Sequence, residues 1–193
     1  ISTSGAKVIQ LHTGGMCHLD AGMTRQGLEG LGTENIDLAI LENVGNLVCP
    51  AEFDTGAVKN AMILSVPEGD DKPLKYPLMF SICDVLLVNK IDVAPYFNFS
   101  LEKCIERVKK LNPNIQVFPI SALKGDGVMQ AAEAAVKAAA IRRARQIWFL
   151  TDDSKFGRIY PAVISALGDA AILTNRCPDP KYGQLTLVKE TER

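Results

Sequence analysis

The strongest constraint on this chain is a set of short, nearly continuous apolar runs: Asn35 to Asn43 (NIDLAILEN), Asn60 to Val66 (NAMILSV), Cys83 to Asn89 (CDVLLVN) and Ile115 to Ile120 (IQVFPI). A strand with one wet face alternates apolar and polar residues. A strand that is apolar at nearly every position must be covered on both faces, as inside a parallel sheet. Ala6 to Leu11 reads as an earlier strand. Helical spacing fills the intervals: Asp20 to Leu31 with Met23, Leu28 and Leu31, then Pro73 to Ile82. Ser100 to Leu111 carries Leu101, Cys104, Ile105, Val108 and Leu111 on one stripe and stops at Asn112-Pro113, and an Ala-rich stretch runs from Gly127 to about Gln146. The alternation predicts an α/β fold, a mostly parallel sheet with helices on both faces. Such sheets bind ligands in loops beyond the carboxyl ends of their strands, which is where functional residues are to be sought.

Asn89-Lys90-Ile91-Asp92 follows one of these strands directly and matches the N-K-x-D signature of guanine-nucleotide binding. A carboxylate at the base edge accepts from the guanine N1 and N2 donors, a pattern adenine does not present. Asp92 is therefore the candidate guanine selector, with Asn89 holding the loop and the stem of Lys90 lying over the ring. Ser121-Ala122-Leu123-Lys124 follows the next strand, as the element whose backbone N–H groups face the guanine O6 does. Glu42-Asn43-Val44-Gly45 resembles the D-x-x-G element with Glu in place of Asp. There, Glu42 would act near Mg²⁺ and the Gly45 amide would sense the γ-phosphate. No G-x-x-x-x-G-K-[ST] phosphate loop occurs in the sequence, so the main β/γ-phosphate grip and a Mg²⁺ ligand are not supplied by these residues.

Cys17-His18 lies in a Gly-rich strand-to-helix loop, and Cys49 lies just past the Glu42 strand, so both segments fall at the same end of the sheet. Two thiolates and an imidazole suit Zn²⁺ and Ni²⁺. Three ligands fall short of a closed structural zinc site. They leave a position open for exchange, or are completed by a second copy across a symmetric interface. Cys83 and Cys104 read as core residues on the apolar faces of a strand and a helix, and His12 as solvent-facing near Gly14-Gly15.

The formal net charge of −1 and the interspersed signs give no polyanion-binding surface, so no nucleic-acid partner is expected. No apolar stretch approaches the roughly 18 residues of a membrane span, so no membrane partner is expected. The five cysteines form no regular framework and no signal peptide is evident, which points to reduced thiols in the cytoplasm. The first residue is Ile, and the chain is expected to be a piece of a longer one.

The runs GAKVIQLHTGGMCHLDAGM, DLAILENVGNLVCPAEFD, LSVPEGDDKPLKYP and DVLLVNKIDVAPY closely resemble the nickel-incorporation GTPases of hydrogenase maturation, over about residues 5–139. The resemblance implies a G-protein (P-loop NTPase-like) fold whose phosphate-loop unit would precede Ile1. It also implies a GTP-dependent metallochaperone that delivers Ni²⁺ to the large subunit of [NiFe]-hydrogenase alongside a companion nickel-maturation protein. Such a protein dimerises through its metal site and uses GTP/GDP, Mg²⁺ and Ni²⁺ or Zn²⁺. Its metal residues map onto Cys17, His18 and Cys49, and its guanine-reading residues onto Asn89, Lys90 and Asp92.

From about Arg145 the character changes, and the expected organisation is a partial GTPase and metal-binding domain over residues 1–144 with a strand-helix-strand appendage over 145–193. In the appendage FLTDDSKFGR and AAILTNR resemble the C-terminal part of the effector domain of DeoR-type sugar-responsive repressors. Two alternatives follow: a non-enzymatic sugar-phosphate-sensing module, and a nucleotide-binding module without metal chemistry.

Overall fold

The structure, a computed structural model, describes residues 6–32, 36, 38–141, 146–151 and 170–174, with side chains through residue 135. The first strand, β1 (Lys7–Gln10), leads through the Cys17-His18 loop to helix α1 (Ala21–Leu31). Asp20 starts that helix by accepting from the Met23 N–H, and Gly32 ends it at φ 65°, a conformation that favours glycine. Then come β2 (Leu38–Glu42), the single turn α2 (Cys49–Glu52) and β3 (Asn60–Ser65), followed by a 3-10 turn over Val66–Glu68. The stretch expected as one helix from Pro73 to Ile82 is two, α3 (Lys72–Lys75) and α4 (Pro77–Ile82). Pro77 explains the break: it biases Tyr76 away from the helical region, and Tyr76 sits at ψ 55°.

Strand β4 (Val85–Asn89) runs into a 3-10 turn over Ile91–Tyr96, then α5 (Leu101–Leu111), β5 (Gln116–Pro119) and α6 (Val128–Ile141). Ser100 caps α5 by accepting from the Lys103 N–H. The last described elements are β6 (Gln146–Thr151) and β7 (Ala170–Thr174). Cys83, expected on a strand, instead ends α4, and its burial stands.

The seven strands among the described residues form one sheet in the order β1-β7-β2-β6-β3-β4-β5, and every described pairing is parallel. The fold is thus the α/β parallel arrangement that the uninterrupted apolar runs imply. Strand order was not readable from them. β2 and β3 do not pair with each other: β6 lies between them, and β7 lies between β1 and β2.

Alternation within each strand feeds both sides of the sheet. Val8, Ile40, Ile63 and Leu87 pack under α6 with Val128 and Ala132. On the other face Ile9, Ala39 and Leu41 meet Leu31 of α1, while Met62, Leu64, Leu86 and Val88 meet Phe80 of α4 and Cys104 and Val108 of α5. Where side chains are described, β1 to β4 are packed on both faces, so the polar residues singled out above gather at the strand ends. No helix among the described residues is long and apolar enough to cross a membrane. Of the appendage, residues 152–169 and 175–193, with the DDSKFGR run, Asn175 and Cys177, lie outside the described residues.

Candidate functional site

Two clusters form at the carboxyl end of the sheet. The first is built by the loops after β4 and β5. The Asn89 side chain, 1% exposed, accepts from the Ala122 N–H at 3.1 Å and so ties the two loops together. Ile91 N donates to Ile120 O at 3.1 Å, a second tie between the same segments. Lys90 takes the left-handed conformation at φ 63° and reverses the chain into the 3-10 turn. That reversal brings Asp92 to Ser121, whose hydroxyl donates to Asp92 Oδ1 at 2.7 Å. This hydrogen bond from Ser121 holds the Asp92 carboxyl below the usual carboxylate range. Asp92 is therefore an anion at neutral pH, acceptor-only, as reading two guanine donors requires. Ser121 Oγ also accepts from Lys124 N at 3.2 Å, and Gly125 N donates to Ser121 O at 2.7 Å, folding the Ser121-Ala122-Leu123 turn. Leu123 and Lys124 are exposed at its tip.

The second cluster gathers the loop after β1 and the segment after β2. The Cys17 and Cys49 thiols are neighbours, and the nearby Cys17 thiol, with burial, raises the Cys49 thiol above its ordinary value. Cys17 Sγ lies 3.9 Å from Nδ1 of His18. The His18 ring is buried and stacked on Phe53, with ring centroids 3.5 Å apart and an interplanar angle of 7°. Phe53 was not singled out from the sequence, and no motif marks it. His12 is exposed. Among the described residues no three His, Cys, Asp or Glu side chains are arranged to hold a metal ion together. The two thiols are neighbours, while the imidazole beside Cys17 is held against an aromatic ring.

Glu42, at the end of β2, is 2% exposed, and Gly45 follows in the loop that carries Cys49. In the sheet register Glu42 pairs with Phe149, and Phe149 pairs with Ala61, whereas Asn89 pairs with Ser65 four residues further on. Two strands, β6 and β3, lie between β2 and β4. At roughly 4.8 Å per strand spacing and 3.3 Å per residue, the base-reading loops and Glu42 are about 14 Å apart across the sheet and stepped by about 13 Å along it. They are two sites on one edge. Cys83 and Cys104, the other cysteines among the described residues, take no part: burial pushes Cys104 up to about 11 and Cys83 further still, keeping both as inert thiols.

These features accord with known proteins. Residues 1–119 match the sequence profile of the family described as CobW/HypB/UreG, nucleotide-binding domain. The hydrogenase maturation factor HypB of Escherichia coli strain K12 is 47% identical over 130 residues, which cover 67% of this chain and 45% of that protein. HypB of Rhizobium leguminosarum bv. viciae is 45% identical over 144 residues, 75% of this chain and 48% of that protein. The chain thus spans about half the length of these relatives. Among solved structures, HypB from Helicobacter pylori in complex with nickel is similar at a TM-score of 0.65 and 37% identity, covering 70% of this chain and 65% of that one. HypB from Archaeoglobus fulgidus gives a TM-score of 0.61 at 34% identity, covering 65% and 66%. None of these likenesses supports the sugar-sensor resemblance of the tail. With the loops after β4 and β5 joined at the carboxyl end of a parallel sheet and the profile match over residues 1–119, the chain belongs to the CobW/HypB/UreG family of nucleotide-binding domains.

Proposed function

We propose that this chain is the metal-handling and base-reading part of a GTP-dependent nickel metallochaperone acting in [NiFe]-hydrogenase maturation. The observation that carries the reading is that Asn46, in the segment that follows Glu42, bonds the backbone of both Cys17 at 2.7 Å and Cys49 at 2.9 Å and so brings the two thiols from separate loops together. Deprotonated, two such thiolates form a soft N,S-type site with His18 when its ring turns from Phe53, a donor set suited to Ni²⁺ or Zn²⁺ as cargo. Met16, Val48 and Phe53 are exposed apolar residues beside these ligands, which favours completion of the site by a second copy in a homodimer. The hydrogenase large subunit and a companion nickel-maturation protein are the partners in this reading, and the cytoplasm its setting.

Nucleotide recognition rests on Asn89, Lys90, Asp92 and the Ser121-Ala122-Leu123 turn. Glu42 and Gly45 would serve the Mg²⁺ and γ-phosphate end, and GTP hydrolysis would need the phosphate grip that these residues do not supply. We read residues 1–144 as the GTPase and metal-binding unit and 145–193 as an addition of separate origin whose strands enter the same sheet.

Titration with Ni²⁺ followed by thiolate-to-metal charge-transfer absorption tests the metal reading. The parent chain should bind, and the Cys17→Ala/Cys49→Ala variant should lose more than the roughly 10–100-fold that removal of an outer-shell partner costs. Equal nickel binding by both would remove the metal site from the proposal. A second reading, base recognition without metal chemistry, is favoured by the complete Asn89-Asp92-Ser121 network. It is separated by GDP-induced thermal shift, which Asp92→Asn should abolish whatever the metal result.

A further inference from the structure

The thiol pair is held by two asparagines that the sequence motifs do not explain. The Asn46 side-chain oxygen accepts from the N–H groups of Val48 at 3.0 Å and Cys49 at 2.9 Å. Its amide nitrogen donates to the Cys17 carbonyl at 2.7 Å, across 29 residues of chain. The partners fix the orientation of the amide, because two N–H groups require the oxygen and a carbonyl requires the nitrogen. Asn46 N in turn donates to Val44 O at 2.8 Å, which tightens the loop that carries it. Three residues earlier, the buried Asn43 side-chain oxygen accepts from Leu19 N at 2.9 Å and from Val44 N at 2.8 Å. The Cys17-His18 step is therefore gripped on both sides, at the Cys17 carbonyl by Asn46 and at the Leu19 amide by Asn43.

We infer that Asn46 is a positioning residue that sets the separation of the Cys17 and Cys49 sulfurs, and that with Asn43 it fastens the Cys-His loop to the Glu42–Gly45 segment. One side chain bonds the backbone of both cysteines, so the two sulfurs share a single anchor. The anchor stands on the loop that contains Gly45, between the two asparagines. Any change in the backbone of Val44 and Gly45 alters the distance from Asn43 to Asn46 and thereby rotates the Cys17-His18 step against Cys49. The inference deepens the metal-handling reading, but the separation of the sulfurs is measurable without metal.

The test uses the metal-free full chain equilibrated with reduced and oxidised glutathione. Glutathione disulfide is the oxidant: one S–S bond forms between Cys17 and Cys49, the S–S bond of glutathione breaks, and the two thiol protons leave on two glutathione thiols. Peptide mapping identifies the pair. Asn46→Asp keeps both acceptor bonds to Val48 and Cys49 and sets an oxygen against the Cys17 carbonyl, so the turn persists while the anchor between loops is lost. The Cys17–Cys49 disulfide constant is expected to fall about tenfold in Asn46→Asp and in Asn46→Ala. Val48→Ala, which leaves the same backbone bonds, should match the parent. The Ni²⁺ affinity of Asn46→Asp should also drop about tenfold, with the thiolate charge-transfer bands still present. A disulfide constant for Asn46→Asp within twofold of the parent, at an unchanged melting temperature, overturns the inference. If the parent binds no nickel while the disulfide constants differ as expected, the metal reading fails and the positioning role stands.

Discussion

Among the described residues, Lys90 is the non-glycine residue with positive φ, at 63°, and it sits between Asn89 and Asp92, the residues proposed to read the base. For an L-residue this conformation costs roughly 1–2 kcal/mol relative to the right-handed region. Glycine would relieve the strain, and a long cationic side chain at this turn accords with the proposed use of the side chain itself. Lys90→Gly is expected to change folding stability by less than about 1 kcal/mol, because the relief offsets the larger entropy of the unfolded glycine. The same variant should weaken GDP binding. Urea unfolding and GDP thermal shift check the two halves, and a large loss of stability would show that the Lys90 side chain is structural. At this scale the candidate site motifs were legible in the sequence, Asn89, Lys90 and Asp92 as one and Ser121 and Ala122 as another, and the structure joins them through the Asp92–Ser121 and Asn89–Ala122 bonds. Phe53 and Asn46 were not, because what each does depends on partners 35 and 29 residues away in the chain.

Between elements, Asp70 fastens the loop after β3 to α5. Its carboxylate accepts from Ser100 N at 2.8 Å, at the cap of α5, and from Arg107 at 2.6 Å, while Arg107 also donates to Asp70 O at 2.7 Å. The Ser100 N–H first, and the Arg107 guanidinium with it, hold the Asp70 carboxyl below its ordinary range. Asp70→Ala should lower stability by about 2 kcal/mol at pH 7, since it strips a cap and leaves a half-buried guanidinium without its anion. The folded-state value is depressed, so the contribution of Asp70 is complete above the unfolded carboxylate value of about 3.9 and is lost as pH falls through the lower folded value. Chemical unfolding of the parent and variant across that acid range should therefore converge. A difference that stays constant into strong acid would mean that ionisation of Asp70 contributes nothing. The helix containing Ser100 was legible from its apolar stripe and its Asn112-Pro113 stop. The break between α3 and α4 was written in Pro77 and was overridden in the reading by the apolar residues that continue across it.

Across the whole molecule, stability should depend on the strands beyond the family match. β1 pairs only with β7 among the described strands, and β2 pairs only with β7 and β6. Removing residues 145–193 leaves β1 and β2 without a strand neighbour on either side and opens a gap beside β3. Unpaired backbone groups in a sheet buried on both faces are costly, so the shortened chain should lose cooperative melting and bind a hydrophobic dye. A sharp transition at the parent's midpoint would contradict the strand order described for this sheet.

By itself the sequence determined most of the strands, the helix stripe of α5 and the place of the candidate base-binding motifs, because periodicity and short motifs act through neighbours in the chain. Only the tertiary structure decided that β6 and β7 enter between earlier strands, that Cys17 meets Cys49, and that Asn46 spans them. Those outcomes depend on the register of distant strands and on which backbone groups are left for side chains to satisfy. Neither is encoded in any window of the chain short enough to read alone.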